Sequence, residues 1–366
     1  MARPTSATIH TDALRHNLGQ VRARAPNSRV MAVVKADGYG HGLERVARAL
    51  GGADAFGVAA LSDAERLRAA GLSQPIVLLS GFTEPDDLPR LRSLGVETVI
   101  HHVSQIEMLE QSPGTEPIRC WLKLDTGMHR LGFAPEQVRQ AHARLQALPG
   151  VAGDIVLMNH FASSDEFPDE FVGAGVDENQ TRRQMRIFAE ATAGLPGERT
   201  LSNSAGVLGW GDAHAQWVRP GGALYGMSVV QGTTGADFGL RPAMTLATRL
   251  IAVNRIRRGE RIGYSATWEC PEDMPVGVAA IGYGDGYPRA APAGTPVLVG
   301  GQRTQVIGRV SMDLMTIDLR GIQAAVGDAV TLWGPELPVE TIAAAAGTIS
   351  YELTCSITRR VRFVEQ

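Results

Sequence analysis

Lysine is almost absent from this chain. Of its 35 lysine and arginine residues, only Lys35 and Lys123 are lysines. An arginine cannot act as an amine nucleophile because its guanidinium keeps its proton, whereas a lysine desolvated at the end of a strand can lose its proton. The residues alone leave two interpretations open. In the first, a GC-rich genome has lost its lysine codons and two lysines remain by chance. In the second, the chain keeps lysine only where an amine is needed.

The chain also lacks an excess of charge, paired cysteines and long apolar runs. Its net charge is -3 and charged residues make up 20%, so neither nucleic acid nor an anionic membrane surface is expected as a partner. The three cysteines are widely spaced and form no CxxC pair, which is typical of a reducing compartment. No apolar run can span a bilayer, and the N-terminus carries no secretory apolar segment. We therefore expect a cytoplasmic protein.

Short apolar runs alternate with amphipathic stretches from about residue 29 to residue 225. The candidate strands are 30–34, 55–58, 76–79, 98–100, 119–124, 154–158, 200–201 and 217–218. The candidate helices include 43–50, 62–70, 85–94, 103–110, 135–148 and 179–193. Alternating strands and helices build parallel sheets. Eight such units over roughly two hundred residues predict an α/β fold with a (β/α)8 barrel of the TIM type, rather than a doubly wound sheet.

The pattern changes after about residue 231. Candidate strands 244–255, 276–281, 295–299, 305–310, 316–318 and 329–333 follow one another across glycine and proline turns, with no helix before 339–346. We therefore predict a mostly-β C-terminal domain, with residues 231–240 as its hinge. The predicted division is a barrel over residues 1–235 and a β-rich domain over residues 236–366.

Polar side chains stand where the candidate barrel strands end. Lys35 ends the first strand, Lys123 with Asp125 ends the fifth, His160 ends the sixth, Asn203 and Ser204 end the seventh, and Arg219 ends the eighth. Active sites of barrels lie where strands end and βα loops begin, so we expect these residues to gather at one rim. Taken singly, His160 also fits a core histidine and Arg219 a surface ion pair. Their joint placement favours a functional site.

The loops after the seventh and eighth strands contain Asn203-Ser204 and Arg219-Pro220-Gly221-Gly222. In a barrel these two loops commonly bind phosphate through backbone N–H groups. A phosphate-bearing cofactor near a strand-end lysine suggests pyridoxal phosphate, held on Lys35 as a Schiff base. The glycine-rich stretch 38–42 is neither a Walker loop nor a GxGxxG motif, and the histidines show no metal-ligand spacing. No metal is expected.

Several motifs follow one another along the whole chain. In the barrel they are Val34-Lys35-Ala36-Asp37-Gly38-Tyr39-Gly40-His41-Gly42, Leu122-Lys123-Leu124-Asp125-Thr126-Gly127-Met128-His129-Arg130-Leu131-Gly132, Asn159-His160-Phe161-Ala162, Ser202-Asn203-Ser204-Ala205 and Val218-Arg219-Pro220-Gly221. In the C-terminal part they are Ile262-Gly263-Tyr264, Gly282-Tyr283-Gly284-Asp285-Gly286-Tyr287-Pro288 and Arg309-Val310-Ser311-Met312-Asp313. In this order they resemble the motifs of the alanine racemase family, and the resemblance covers the whole length. It implies a pyridoxal 5'-phosphate enzyme that interconverts L-alanine and D-alanine.

The resemblance implies two catalytic bases. Racemisation removes a proton from one face of the α-carbon and returns one to the other, so two acid/base groups are needed. By similarity these are Lys35 and Tyr264. A free tyrosine has a pKa near 10, and a hydrogen-bonded path through His160 to Arg219 would help Tyr264 to act as a base. Arg219 is also expected at the pyridine nitrogen of the cofactor.

The resemblance assigns the binding residues as well. The cofactor is expected to contact Lys35, Tyr39, His160, Asn203, Ser204, Arg219, Gly221, Gly222 and Tyr351. Arg130 and Met312 are expected to bind substrate, while Tyr283 and Asp313 support the entrance. Lys123 is expected to be carbamylated to N6-carboxylysine and to orient Arg130. Because the β-rich domain would bring Tyr264 and Met312 to the partner's barrel, a homodimer with shared active sites is implied.

The chain departs from the family pattern at three places. Gly38 stands where alanine is frequent, Ser265 stands where glycine is frequent, and the acidic segment 165–177 is longer than expected. Alternatives to alanine racemisation are racemisation of serine or other small amino acids, decarboxylation on the same fold, and a non-catalytic pyridoxal phosphate carrier. The sequence leaves open whether D-alanine is made for peptidoglycan or degraded.

Overall fold

The computed structural model describes residues 3–112, 114, 116–166, 179–230 and 232–366. Residues 167–177 of the acidic segment, and residue 231 at the start of the predicted hinge, lie outside the described residues. The first elements are strand β1 (Ser6–Ile9) and helix α1 (Thr11–Arg24). Among the described residues, no helix is both long and apolar enough to cross a membrane.

Eight parallel strands form a closed barrel. They are β2 (Arg29–Val33), β3 (Ala55–Val58), β4 (Ile76–Leu78), β5 (Val96–Ile100), β6 (Cys120–Lys123), β7 (Val156–Met158), β8 (Arg199–Thr200) and β9 (Trp217–Val218). Most of them are short apolar runs that are buried on both faces, as expected for strands covered by helices outside and by side chains inside. The exception is β8, which consists of one arginine and one threonine. All eight predicted strands are confirmed, as is the barrel.

Helices cover the outside of the barrel. They are α3 (Leu43–Ala49), α4 (Leu61–Ala69), α5 (Asp87–Ser93), α6 (Val103–Gln111), α7 (Val138–Gln146), α8 (Gln180–Thr192) and α9 (Ser204–Gly209). The short segment α2 (Lys35–Tyr39) is a turn with positive φ angles rather than a regular helix. Side-chain caps fix three of the helix starts. His102 accepts from the backbone N–H of Ser104 at 3.3 Å before α6. The Asn179 side chain accepts from the backbone N–H of Thr181 at 2.8 Å before α8, and Asn203 accepts from Gly206 at 2.9 Å before α9. The polar residue just before each of these helices therefore sets where the helix begins.

Side chains fill the barrel and close its amino end. The interior cluster comprises Met31, Ala55, Val77, Val99, Trp121, Val156, Met158 and Trp217. The indole N–H of Trp121 donates to Glu97 at 2.6 Å, and that of Trp217 donates to Glu198 at 2.9 Å. Both carboxylates stand near the starts of their strands, so the aromatic rings are anchored there. The carboxyl end is left for chemistry, as is usual in this fold.

The C-terminal part is mostly β-sheet, as predicted. Its strands are β10 (Met244–Ile256), β11 (Arg261–Ile262), β12 (Trp268–Glu269), β13 (Met274–Ala279), β14 (Pro296–Val299), β15 (Gln302–Ile307), β16 (Met315–Asp318), β17 (Ala329–Trp333) and β18 (Arg362–Glu365). Helices α10 (Val339–Ala346) and α11 (Ser350–Cys355) follow β17. The main sheet has the order β13-β16-β15-β14-β17-β10-β1-β18. Strand β15 ends three residues before its predicted limit, because Gly308 turns the chain with a φ of +67°.

The first strand of the chain belongs to this C-terminal sheet. β1 pairs antiparallel with β10 and parallel with β18. The assignment of all residues from 1 to 235 to the barrel is therefore wrong for Ser6–Ile9. The physical reason is that the barrel closes on itself between β2 and β9 and offers no free edge. Strand β10 pairs with β13 only from Leu250 onward, so its first residues, Met244–Ala247, can pair with β1. The remainder of the domain division stays a prediction.

Candidate active site

The structure places the predicted barrel residues at the carboxyl ends of the strands. Lys35 stands two residues after β2, Lys123 is the last residue of β6, and His160 stands two residues after β7. Ser204 begins α9 after β8, and Arg219 directly follows β9. Because parallel strands of a closed barrel present their carboxyl ends at one rim, these side chains share one mouth of the barrel.

The backbone that follows Lys35 is unusual. Residues 36–39 all have positive φ, with values of 53°, 53°, 64° and 52°, and three of the four are not glycine. Each such L-residue costs roughly 1–2 kcal/mol, and strained segments of this kind are characteristic of functional sites. The turn is held by its surroundings. The Asp37 carboxylate accepts from Arg66 at 2.8 Å, and a Cβ on Gly40 would lie 2.0 Å from the carbonyl oxygen of Thr354 in α11.

Burial and neighbouring cations lower the pKa values of the amines at the rim. The pKa of Lys35 is lowered by burial and then by Arg130. The pKa of Lys123 is lowered to about 8, again by burial first and then by Arg130 and Arg219. The same two causes hold the pKa of His160 well below its ordinary value, with Arg219 the largest of the charges. The rim therefore favours neutral amines and attracts anions.

Arg219 is buried, with 4% of its surface exposed. Its guanidinium donates to Thr200 Oγ1 at 2.5 Å, to the Asn159 carbonyl at 2.8 Å and to the Leu201 carbonyl at 3.2 Å. The interpretation of Arg219 as a surface ion pair is wrong. None of these acceptors in the described part of the chain is a carboxylate, and burial lowers the pKa of Arg219 to about 9. The Arg219 guanidinium could donate a further hydrogen bond to a polar group with an available lone pair.

A cradle of hydrogen-bonding groups lies between α9 and the loop after β9. The Ser204 hydroxyl accepts from the backbone N–H groups of Gly221 at 2.8 Å and of Ala223 at 3.2 Å, and the Tyr351 hydroxyl lies beside Gly222. A Cβ on Gly221 would lie 2.3 Å from the Tyr39 hydroxyl oxygen, and one on Gly222 would lie 2.3 Å from that of Tyr351. Only glycine fits at these two positions. Because glycine has no side chain, the two tyrosine hydroxyls lie close to the backbone N–H groups of this loop.

The two tyrosines of the cradle, Tyr39 and Tyr351, pack against one another. Their ring centroids are 5.2 Å apart in an edge-on arrangement, and Tyr225 lies 4.8 Å from Tyr39 on the other side. Burial raises the pKa of both Tyr39 and Tyr351 above the ordinary tyrosine value. Both hydroxyls therefore keep their protons and can donate to an anion such as a phosphate. The donor set fits the phosphate that the sequence predicts.

The C-terminal part contributes exposed side chains rather than a closed site. Tyr264 is 68% exposed, Met312 52% and Tyr283 38%. No hydrogen bond within the described residues joins Tyr264 to Lys35. Ser265, where glycine is frequent in the family, has a φ of 62°, and its hydroxyl is 3.3 Å from Arg309 Nη1. The serine thus adopts the backbone conformation that glycine favours.

Sequence reasoning missed the residues that hold Arg219. Thr200 lies within a predicted strand and Asn159 directly precedes His160, yet neither was selected. The Asn159 side chain also donates to Thr126 Oγ1 at 3.2 Å, which links the loops after β6 and β7. The adjacency of Asn159 to His160 was the only available signal. Cys355, in electrostatic contact with Lys35, was also missed, because α11 approaches the rim only in the folded chain.

Two family models match the chain almost from end to end. The alanine racemase N-terminal domain matches residues 9–229, and the alanine racemase C-terminal domain matches residues 243–365. The chain belongs to the alanine racemase family. This confirms the family interpretation that was based on the motifs, and both alanine racemase domains are present in the expected order.

Individual relatives agree with this assignment. An alanine racemase of Shewanella baltica is 52% identical over 356 residues, which cover 97% of each chain. The crystal structure of the biosynthetic alanine racemase from Pseudomonas aeruginosa matches with a TM-score of 0.94 and 42% identity, covering 100% of this chain and 99% of that one. The alanine racemase structure from Acinetobacter baumannii matches with a TM-score of 0.91 and 35% identity, covering 100% of both chains. The alanine racemase family relationship thus extends over both domains.

Proposed function

We propose that this protein interconverts L-alanine and D-alanine, with pyridoxal 5'-phosphate as its cofactor. The observation that carries the proposal is the setting of Lys35: its amine is desolvated and lies at the same barrel rim as an anion cradle and Arg130. A neutral amine is what covalent binding of an aldehyde and proton transfer both require. The names of the relatives support alanine as the substrate.

The residues present fit the cofactor. Pyridoxal phosphate supplies an aldehyde that bonds to an amine and an aromatic ring that stabilises negative charge on the α-carbon. The Lys35 amine would hold the aldehyde carbon, and Ser204, Tyr39, Tyr351 and the backbone of Gly221 and Gly222 would hold the phosphate. His160 and Asn203 would line the same pocket. Arg219 would face the ring nitrogen, and because a guanidinium keeps its proton, that nitrogen would stay unprotonated and the ring a weaker electron sink.

Substituting Gly222 by alanine is expected to weaken binding of pyridoxal phosphate by about tenfold or more, because the new methyl group would collide with the Tyr351 ring at 2.2 Å. The measurement is a titration of apoprotein followed by visible absorption. Gly209→Ala is the matched control, since a Cβ at Gly209 meets nothing within 4 Å. Equal affinities in the Gly222→Ala, Gly209→Ala and wild-type proteins would contradict the assignment of the cradle.

Two residues would move the proton. Lys35, with its lowered pKa, would serve on one face of the α-carbon and Tyr264 on the other. Arg130 would bind the substrate carboxylate and thereby hold the α-carbon between the two bases. The predicted path from Tyr264 through His160 to Arg219 requires His160 to be neutral, and the low pKa of His160 supports this.

The second base would come from another copy of the chain. Four large aromatic or apolar side chains of the β-rich part are more than a third exposed. They are Tyr264, Tyr283, Met312 and Leu314. A second copy placed with its barrel mouth against these residues would cover them and complete its own site. We therefore propose a homodimer with two shared sites. Met312 and Tyr283 would then border the substrate pocket of the partner, with Asp313 behind them.

Lys123 would be carbamylated. Its neutral amine would attack carbon dioxide and release one proton, which turns a basic side chain into a carboxylate facing Arg130. Only the neutral amine reacts, and the pKa of about 8 leaves a large neutral fraction near that pH. The resulting carboxylate would orient Arg130, which already interacts electrostatically with Lys123.

We expect a carbamate signal in the carbon-13 spectrum of protein kept in labelled bicarbonate, which grows as the pH rises through about 8. The direction follows from the lowered pKa, because deprotonation of Lys123 makes its amine reactive. Lys123→Arg is the control, since arginine keeps the size and charge but does not react. An unchanged signal in the Lys123→Arg protein would assign the carbamate elsewhere and refute the proposal for this residue.

Chiral chromatography of alanine incubated with the cofactor-loaded protein tests the activity itself. Equal amounts of the two enantiomers are expected at equilibrium from either starting enantiomer, because they have the same free energy. Release of carbon dioxide without exchange of configuration would indicate a decarboxylase, and absence of turnover in a yellow protein would indicate a cofactor carrier. Parallel incubation with serine separates a narrow from a broad specificity.

A further inference from the structure

Two loops of the β-rich part are bound to each other through their backbones. The N–H of Tyr283 donates to the Ser311 carbonyl at 3.0 Å, and that of Gly284 donates to the Met312 carbonyl at 2.9 Å. A Cβ on Gly282 would lie 2.2 Å from the Ser311 carbonyl oxygen, so the contact leaves no room for a side chain. We call residues 282–285 and 311–313 the entrance loops. Two backbone hydrogen bonds and a close contact therefore join the entrance loops to each other.

A buried carboxylate lies at the end of the first entrance loop. Asp285 has no solvent-exposed surface. Its Oδ2 accepts from Arg3 Nη2 at 2.7 Å and from the backbone N–H of Gly282 at 3.0 Å, while its Oδ1 forms an ion pair with Arg360 Nε at 3.4 Å. A carboxylate this deeply buried needs such partners, because water does not reach it.

The same two arginines also bind the second entrance loop. Arg3 donates to the Asp313 backbone carbonyl at 2.9 Å and is 3.4 Å from its Oδ1. Arg360 Nη2 is hydrogen-bonded to that same Oδ1, and this bond holds the pKa of Asp313 below its ordinary value. Two arginines and two aspartates, Arg3, Arg360, Asp285 and Asp313, thus form a charge-balanced cluster. We call it the entrance cluster.

The entrance cluster connects the loops to distant parts of the chain. Arg3 precedes β1, and Arg360 lies between α11 and β18. In the same segment the Thr358 N–H donates to the Asp285 carbonyl at 3.1 Å, and the Thr358 hydroxyl donates to the Gly284 carbonyl at 3.0 Å. Because α11 carries Tyr351 of the phosphate cradle, the segment joins the cofactor side of one chain to the loops that bear Tyr283 and Met312.

We propose that Arg3, Asp285 and Arg360 are positioning residues for racemisation, which fix the entrance loops so that Tyr283 and Met312 border the pocket of a small α-amino acid. The inference rests on the proposed function, since that function gives Tyr283 and Met312 their role. None of the three is assigned to the reacting atoms. Lys35 lies on the barrel and Tyr264 lies in a separate turn (Tyr264–Ala266), so loosening the entrance loops acts mainly on substrate binding.

Arg360→Ala tests the inference in the cofactor-loaded full chain. We expect the KM for L-alanine to rise about tenfold and kcat to change by less than about threefold, because uniform binding is lost while proton transfer is kept. Arg360→Lys is expected to give an intermediate KM, since lysine keeps the charge but does not bridge both carboxylates. Arg3→Gln, a milder change at a partly exposed side chain, should raise KM in the same direction.

Arg320→Ala is the matched control. Arg320 belongs to the same β-rich part, forms ion pairs with Asp318 and Glu272, and is 36% exposed compared with 37% for Arg360. The KM of the Arg320→Ala protein should equal that of the wild type. The inference would be overturned if both Arg360→Ala and Arg3→Gln kept the wild-type KM, or if the KM of Arg320→Ala rose as much as that of Arg360→Ala. Either result would leave the proposed function untouched. Absence of racemisation by the wild-type protein would instead overturn the proposed function.

Discussion

Lys35→Ala and Lys35→Arg are both expected to lower alanine racemisation by about 10⁴-fold or more, because each removes the covalent anchor of the cofactor and one of the two bases. Lys35→Arg keeps the positive charge and most of the side-chain volume, so its failure would not reflect lost packing or charge. The measurement is chiral chromatography of alanine after incubation with cofactor-saturated protein. A variant with more than a hundredth of the wild-type rate would contradict the assignment.

The scarcity of lysine permits a second readout that does not depend on activity. Borohydride reduction of the loaded protein should fix the cofactor on the peptide that contains Lys35. Lys123 is the only other lysine and serves as an internal control in the same digest. Recovery of the label on the Lys123 peptide would contradict the account, whatever the rates of the variants.

Tyr264→Phe is expected to lower racemisation by roughly 10²–10⁴-fold, which is the usual contribution of one acid/base group. Binding of the cofactor should be unchanged, since Tyr264 is exposed and lies outside the barrel. In deuterated water, exchange of the α-proton should persist for the enantiomer served by Lys35 and be lost for the other. The measurement is mass spectrometry of each enantiomer after incubation.

Tyr287→Phe is the control for the loss of a hydroxyl in the β-rich part. Tyr287 is buried, and its hydroxyl has no hydrogen-bond partner among the residues that the structure describes. Its removal should leave exchange from both enantiomers unchanged. Equal loss of exchange from both enantiomers in Tyr264→Phe would show that Tyr264 is not the base for one face only, and equal retention would show that it is not a base.

The barrel was predictable because its signal is local. A strand such as β6 is a short apolar run between polar turns, and its last residue, Lys123, is recognisable as a strand end from the sequence alone. The placement of β1 was not predictable in this way. Its register pairs Ser6 with Ala247 and Arg362, and nothing within the first ten residues indicates partners so distant in the chain.

The same distinction applies to the candidate site. Lys35 and Arg219 were found because each directly ends an apolar run, and Gly221 and Gly222 because glycine has a defined backbone role. The entrance cluster was not found, since Arg3 and Asp285 are 282 residues apart and meet only through tertiary packing. Charge pairs of this kind leave no periodic pattern in the sequence, whereas strand ends do.

The central claim is that Lys35 of one chain and Tyr264 of its partner form one site. It is tested most directly by mixing the Lys35→Ala and Tyr264→Phe proteins under conditions that exchange subunits, and then measuring racemisation. In a hybrid dimer one site carries both substitutions and the other carries neither. The account predicts recovery of roughly a quarter of the wild-type activity, given random exchange between two-fold symmetric dimers. Activity that stays at the level of the separate variants would contradict it.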